Sequence, residues 1–185
     1  MAPELRKTRF VCISDTHNAS PDGAFKLPKG DVLVHAGDLT KQGTLAELRK
    51  TFDWIDQADF EIKIVIAGNH DITLDPEFYG QYGLHFHNQN PQEPQDCLDL
   101  VNEYRHSITF LNHESAHIHL KTSPQTSFKV FGSPYSPANG LWAFGYPPEN
   151  ASQTEERQAV RLYAASFGAY VRLWQYVGMY MRAEA

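Results

Sequence analysis

The chain has 185 residues, 42% of them apolar and 21% charged, with a formal net charge of -6. That length and balance suit one globular domain and exclude wholesale disorder. A mildly acidic protein has no general attraction for nucleic acid or anionic membrane, so a phosphate-bearing ligand would need local positive charge of the kind metal ions supply.

Arg9 to Ser14 (RFVCIS) is a short apolar run rich in β-formers, predicted as a buried strand that ends at Asp15. A loop containing Pro and Gly follows from Thr16 to Gly30, then a second strand over Asp31 to Ala36 (DVLVHA), stopped by Gly37. Thr44 to Ala58 has helical spacing, with Leu45, Leu48, Phe52 and Ile55 on one face; Thr44 followed three residues later by Glu47 reads as a capping box. Ile62 to Ala67 (IKIVIA) is a third strand, stopped by Gly68. Near-continuous apolar strands separated by crossovers predict an α/β protein with a buried sheet, and such sheets build their sites in the loops at strand carboxyl ends.

The middle of the chain is less regular. His85 to Gln95 reads as a polar loop, Asp96 to Tyr104 as a short helix, and Thr109 to Leu111, Ala116 to Leu120 and Phe128 to Phe131 as short strands. Ser133 to Pro148 (SPYSPANGLWAFGYPP) has the Pro, Gly and aromatic content of an ordered surface loop. Gln153 to Met181 is helical in pattern, with Arg157, Arg161, Arg172, Gln175 and Arg182 gathered in one sector. Its interior arginines exclude a transmembrane span. Two readings of this tail stand side by side: a helix packed on the sheet, or one that docks on a membrane surface or a partner. Cys12 and Cys97 make no disulfide framework, and the N-terminal MAPELRKTRF lacks the apolar core of a secretory signal, so a reducing, cytoplasmic location is expected.

Three motifs follow the three leading strands: Asp15-Thr16-His17, Gly37-Asp38 and Gly68-Asn69-His70-Asp71. Singly, a strand-end Asp is more often a turn or cap residue than a ligand. Jointly, the motifs bring carboxylates, imidazoles and an amide oxygen to one edge of a sheet, a mix that suits Mn²⁺, Fe or Zn²⁺. Asp38, on the middle loop and with two oxygens, is the natural bridge between two cations. His117 and His119 share a strand face, and His85 and His87 lie in a loop; both pairs are read as exposed histidines rather than ligands. His35 is read as a core residue whose polar atoms are satisfied.

The set resembles the calcineurin-like metallophosphoesterase superfamily, whose motifs run D-x-H, G-D, G-N-H-[DE], a lone His, then G-H-x-H. RFVCISDTHN, GDVLVHAGDLT, KIVIAGNHDITLD and FGSPYSPANGLWAFGYP are similar to its metallophosphoesterase-domain-containing branch, linked to cyclic-nucleotide phosphodiesterase-type activity. The resemblance implies a layered αββα sandwich, here incomplete, over residues 9–150, followed by a divergent amphipathic helical tail over 151–185. It implies that Asp15 and His17 bind a first metal, Asp38 bridges two, Asn69 binds the second, His70 stands beside the substrate phosphate, and Asp71 orients His70. The implied reaction is hydrolysis of a phosphodiester or phosphomonoester, on a small molecule such as a nucleotide, by attack of a metal-bound hydroxide. No His follows His119, so the last two motifs are absent and the second metal site is incomplete. Two alternatives therefore stay open: an aberrant or truncated gene product with a fortuitous helical tail, and a catalytically impaired member that binds metal, nucleotide or a partner without efficient turnover.

Overall fold

The computed structural model describes residues 8–21, 23–122 and 126–147, and the backbone of two strands at 171–173 and 179–184. Four strands, β1 (Phe10–Ile13), β2 (Val32–Ala36), β3 (Ile62–Ile66) and β4 (Thr109–Leu111), form a sheet in the order β1-β2-β3-β4. All three pairings are parallel, so the carboxyl ends of β1, β2 and β3 lie on one edge. The motif loops begin there, which is where the parallel arrangement predicts a site.

Helices cover one face of this sheet: α1 (Leu45–Gln57), α2 (Pro76–His87) and α3 (Pro94–Glu103), with short 3-10 turns at Ile72–Leu74 and Tyr104–His106. Strand residues alternate between faces. Leu33 and Val65 turn toward the helices and pack with Leu48, Phe52, Ile55, Leu100 and Val101. Val32, Val34, Ile64 and Ile66 turn the other way and meet Ile118, Phe128 and Val130 from a second sheet. Each of these fully buried aliphatic or aromatic side chains contributes roughly 1.5–3 kcal/mol of transfer free energy. The two clusters make the first sheet apolar on both faces, which is why its strands read as continuous apolar runs.

The capping box forms as the sequence predicts. Thr44 Oγ1 accepts from Glu47 N at 3.3 Å, and Glu47 Oε2 accepts from Thr44 N at 3.1 Å. The same carboxylate accepts from Lys41 N at 3.3 Å and Gln42 N at 3.4 Å, which fastens the loop after β2 to the start of α1.

The second sheet has the order β5-β6-β10-β9, all antiparallel, from β5 (Glu114–His119), β6 (Ser127–Gly132), β9 (Val171–Leu173) and β10 (Met179–Glu184). β7 (Ser136–Pro137) and β8 (Gly145–Tyr146) make a small parallel pair within the aromatic loop. The described layers are thus helix, sheet and sheet, a mixed α/β architecture.

Two expectations are corrected. The tail predicted as helix through Met181 carries strands at 171–173 and 179–184; β10 lies along the edge of β6, from Met179 opposite Gly132 to Glu184 opposite Ser127. An open strand edge presents a row of unpaired N–H and C=O groups, and pairing them outweighs a helical sequence pattern. The rest of the predicted helix lies outside the described residues. Of His85 to Gln95, predicted as loop, 88–93 is loop, but His85 to His87 form the last turn of α2 and Pro94 and Gln95 open α3. Helix α2 starts on Pro76, with Asp75 Oδ1 accepting from Phe78 N at 3.0 Å. In a helix, positions two apart face different ways. His87 is buried, with Nδ1 3.0 Å from the Tyr79 hydroxyl, while His85 is exposed.

Candidate metal centre

The loop after β1 is laced to the loop after β2 by three backbone bonds. Asp15 N donates to Gly37 O (3.0 Å), His17 N to Asp38 O (3.0 Å) and Asn18 N to Leu39 O (2.8 Å). The lacing holds four non-glycine residues in the left-handed region, with φ of 55° at Asp15, 43° at His17, 68° at Asn18 and 53° at Asp38. Asp and Asn tolerate that region best, yet such strain is sustained only where surrounding bonds over-determine it, and it gathers at functional sites.

His17 Nδ1 is 3.0 Å from Thr40 O, and His70 Nδ1 is 2.8 Å from Lys41 O. A carbonyl only accepts, so both Nδ1 atoms carry hydrogen, and each neutral ring is left with its lone pair on Nε2. Two successive backbone carbonyls thus fix two imidazoles in the same tautomer, the usual outer support of a metal-binding histidine. Asp38 Oδ1 accepts from His70 N at 3.0 Å, and Oδ2 lies 4.0 Å from His17 Nε2. Two donors about 4 Å apart leave room for an ion at the ordinary ligand distance of about 2.0–2.2 Å from each. One ligand atom from each of His17, Asp38 and His70 lies within 4.8 Å of the others. Burial raises the Asp38 carboxyl above its ordinary range, the His70 backbone N–H pulls it back, and the charge of Asp15 pushes it up further. A desolvated carboxylate beside another carboxylate and two imidazole lone pairs is chemically matched to a divalent cation.

Of the six residues singled out in the sequence, His17, Asp38 and His70 converge. Asp15 stays exposed and outside that group, with Ser14 Oγ donating to its Oδ2. Asn69 accepts from Ala143 N at 3.3 Å through its backbone carbonyl. Asp71 has a different task from the one expected. Its carboxylate accepts from Leu39 N (3.1 Å), Gly68 N (2.8 Å), Thr40 N (2.9 Å) and Thr40 Oγ1 (2.7 Å), and it is completely buried. It clamps the loops after β2 and β3 together, while the carbonyl of Lys41 orients His70. Burial pushes its carboxyl up to about 6, against the downward pull of the Thr40, Gly68 and Leu39 bonds. Gly68 must be glycine because a Cβ there would sit 2.2 Å from Asp38 N and 2.3 Å from Asp38 Oδ1.

One residue escaped the sequence reading, and a second was read only in part. Trp142, in the aromatic loop, stacks on His70 with ring centroids 3.9 Å apart and planes 28° apart. The sequence placed it only in an aromatic loop; a close approach to His70 depends on the tertiary path. His35 is only half satisfied: Nε2 is 2.8 Å from Thr16 Oγ1, but Nδ1 has no partner among the described residues. His117 and His119 lie on the exposed face of β5, as expected, and take no part in the group.

A family model for calcineurin-like phosphoesterases matches residues 8–157. Metallophosphoesterase domain-containing protein 1 of Homo sapiens and of Mus musculus is 36% identical over 146 residues, which is 76% of this chain and 41% of that protein. A protein of Emericella nidulans named probable rhamnogalacturonate lyase C is 42% identical over 148 residues, 80% of this chain but 12% of its own length. The chain spans less than half the length of these curated relatives.

Proposed function

The chain belongs to the calcineurin-like phosphoesterase family, and we propose that it hydrolyses phosphoester bonds with the help of divalent metal. The observation that supports this most is the paired Nδ1 anchoring of His17 and His70 on the Thr40 and Lys41 carbonyls, which leaves each ring's lone pair on Nε2, that of His17 4.0 Å from Asp38 Oδ2, in a cluster where His17, Asp38 and His70 each offer a ligand atom within 4.8 Å of the others. In this reading His17 and Asp38 would hold the ion, with Asp15, Asn69 and the second oxygen of Asp38 as further donors for divalent metal. The oxygen and nitrogen donors favour Mn²⁺, with Fe or Zn²⁺ as the other candidates. Bound metal supplies Lewis-acid activation of water and neutralises phosphate oxygens.

The protein's own residues do the rest. His70 stands at the phosphate, with Nδ1–H committed to Lys41 O, so Nε2 is the atom that holds or passes a proton at the leaving oxygen. Asp71 keeps the two ligand-bearing loops in register. The substrate we favour is a phosphodiester of nucleotide size, cyclic nucleotides included. The cysteines are unpaired thiols, in keeping with a reducing, cytoplasmic compartment.

The test is hydrolysis of bis(p-nitrophenyl) phosphate with added Mn²⁺, beside Asp38→Ala. Turnover that EDTA abolishes and that falls at least about 100-fold in Asp38→Ala is the expected result. Equal rates in parent and variant would refute the reading. A folded parent that does not turn over would make this chain a family member that binds without hydrolysing.

A further inference from the structure

The aromatic loop is tied to the metal-site loops at several points. Ala143 N donates to Asn69 O at 3.3 Å, beside His70 in the chain. Phe144 N donates to Asp75 Oδ2 at 2.9 Å, while the other oxygen of Asp75 caps α2. Ser136 N donates to Phe144 O at 3.0 Å within the loop. Ala143 and Phe144 are buried, so Trp142 is carried on a fixed backbone. From there its indole joins a row of rings. Phe86 of α2 packs against Trp142 at 5.4 Å, Trp142 stacks on His70 at 3.9 Å, and His70 meets His17 edge-on at 4.6 Å.

We propose that Trp142 is a positioning residue that acts through His70, holding the plane of the imidazole so that Nδ1–H stays on the Lys41 carbonyl and Nε2 is presented to the phosphate. The proposal rests on the reading that His70 faces the phosphate, and it adds a residue to that reading. Two restraints are needed to fix an imidazole. The Lys41 carbonyl holds Nδ1–H, but a single hydrogen bond to a partly exposed ring does not stop the ring tilting about its Cβ–Cγ bond, and a tilt that breaks this bond frees the tautomer. A face-to-face contact with a rigid indole removes that tilt. Trp142 has His70 stacked on it and Phe86 packed beside it, so it is placed to support the imidazole.

The experiment compares Trp142→Leu, which keeps bulk without a flat face, with Trp142→Phe, which restores a ring. Nitrogen-15 spectra of the metal-free protein, at a pH where His70 is neutral, report its tautomer directly. The parent gives a protonated Nδ1 and an unprotonated Nε2. Trp142→Leu moves the two signals toward an average of both tautomers, and Trp142→Phe brings them back. In Mn²⁺-supported hydrolysis, Trp142→Leu lowers kcat about 3–10-fold, the size of a lost aromatic contact, with KM within about twofold. Mn²⁺ affinity stays within about twofold of the parent, because His17 and Asp38 are untouched. An unchanged His70 tautomer in Trp142→Leu overturns the proposal. So does a loss of Mn²⁺ affinity as large as that of Asp38→Ala, which marks a general collapse of the site. Should Trp142→Leu lack the parent's cooperative unfolding transition, Trp142→Met replaces it in the same comparison. A parent that fails to hydrolyse or bind metal counts against the phosphoesterase reading, while the tautomer spectra still decide the role of Trp142.

Discussion

The imidazole of His35 sits at complete burial, with one nitrogen against Thr16 and the other without a partner among the described residues. Burial first, and the nearby charge of His17 second, lower its pKa from 6.5 to about 3. The unfolded chain therefore takes up a proton as pH falls below 6.5, and the folded chain does not until about 3. Stability from this group is fully present above 6.5 and is lost as pH falls toward 3. Asp71 has the opposite sign. Its folded pKa, about 6 against an ordinary 3.8, makes the fold the tighter proton binder, so it adds stability as pH falls from 6 toward 3.8. The two oppose one another below pH 6, and a substitution is needed to separate them. We predict that the stability of the parent, relative to His35→Gln, drops by about 2 kcal/mol between pH 7.5 and pH 5, read from urea unfolding at each pH. Parallel pH profiles for parent and variant would contradict the neutral, buried imidazole. The sequence reading put His35 in the core correctly, but it took the ring to be satisfied, because an orphaned nitrogen is a property of packing that no local pattern encodes.

At the scale of elements, the ligand-bearing loops depend on one carboxylate. Asp71 gathers three backbone N–H groups and a hydroxyl from two loops. In Asp71→Asn one oxygen becomes an NH₂ facing donors it cannot accept from. The variant should lose about 3 kcal/mol or more in urea unfolding, the cost of breaking a buried, charge-assisted network. A change under about 1 kcal/mol would mean the clamp is dispensable. The first three strands, α1 and its capping box were legible because each carries its own signal: apolar runs ended by Asp15, Gly37 and Gly68, and Thr44 paired with Glu47. α2 was not recognised although Asp75-Pro76 is a sound start signal. Gly80 and Gly83 dilute the helical pattern, and Gly83 is there because a Cβ would sit 2.6 Å from the Tyr79 ring. The role of Asp71 was misread for a related reason. The family resemblance implied His70 as its partner, whereas its partners come from the loop after β2 and from Gly68.

At the scale of the whole molecule, parallel pairing sets the position of the site. Three parallel strands deliver three loops to one edge, and the helix layer and the second sheet bury both faces behind them. The motifs announced this edge in advance, since each followed a strand. The tail did not announce its strands, because what decides between helix and strand at 179–184 is the open edge of β6, a partner distant in sequence, and 171–173 pairs in turn on β10. The claim on which the account turns is that His17 and Asp38 form a metal centre at this edge, with His70 beside it. The most direct measurement is calorimetric titration of the metal-free chain with Mn²⁺, paired with thermal unfolding, for the parent and for Asp38→Ala. The account predicts saturable binding by the parent, with stabilisation that grows with Mn²⁺ to about 2.7 kcal/mol at 100 times Kd, and neither effect in Asp38→Ala. A folded parent that binds no Mn²⁺, Fe or Zn²⁺, or an Asp38→Ala variant that binds as the parent does, would contradict it.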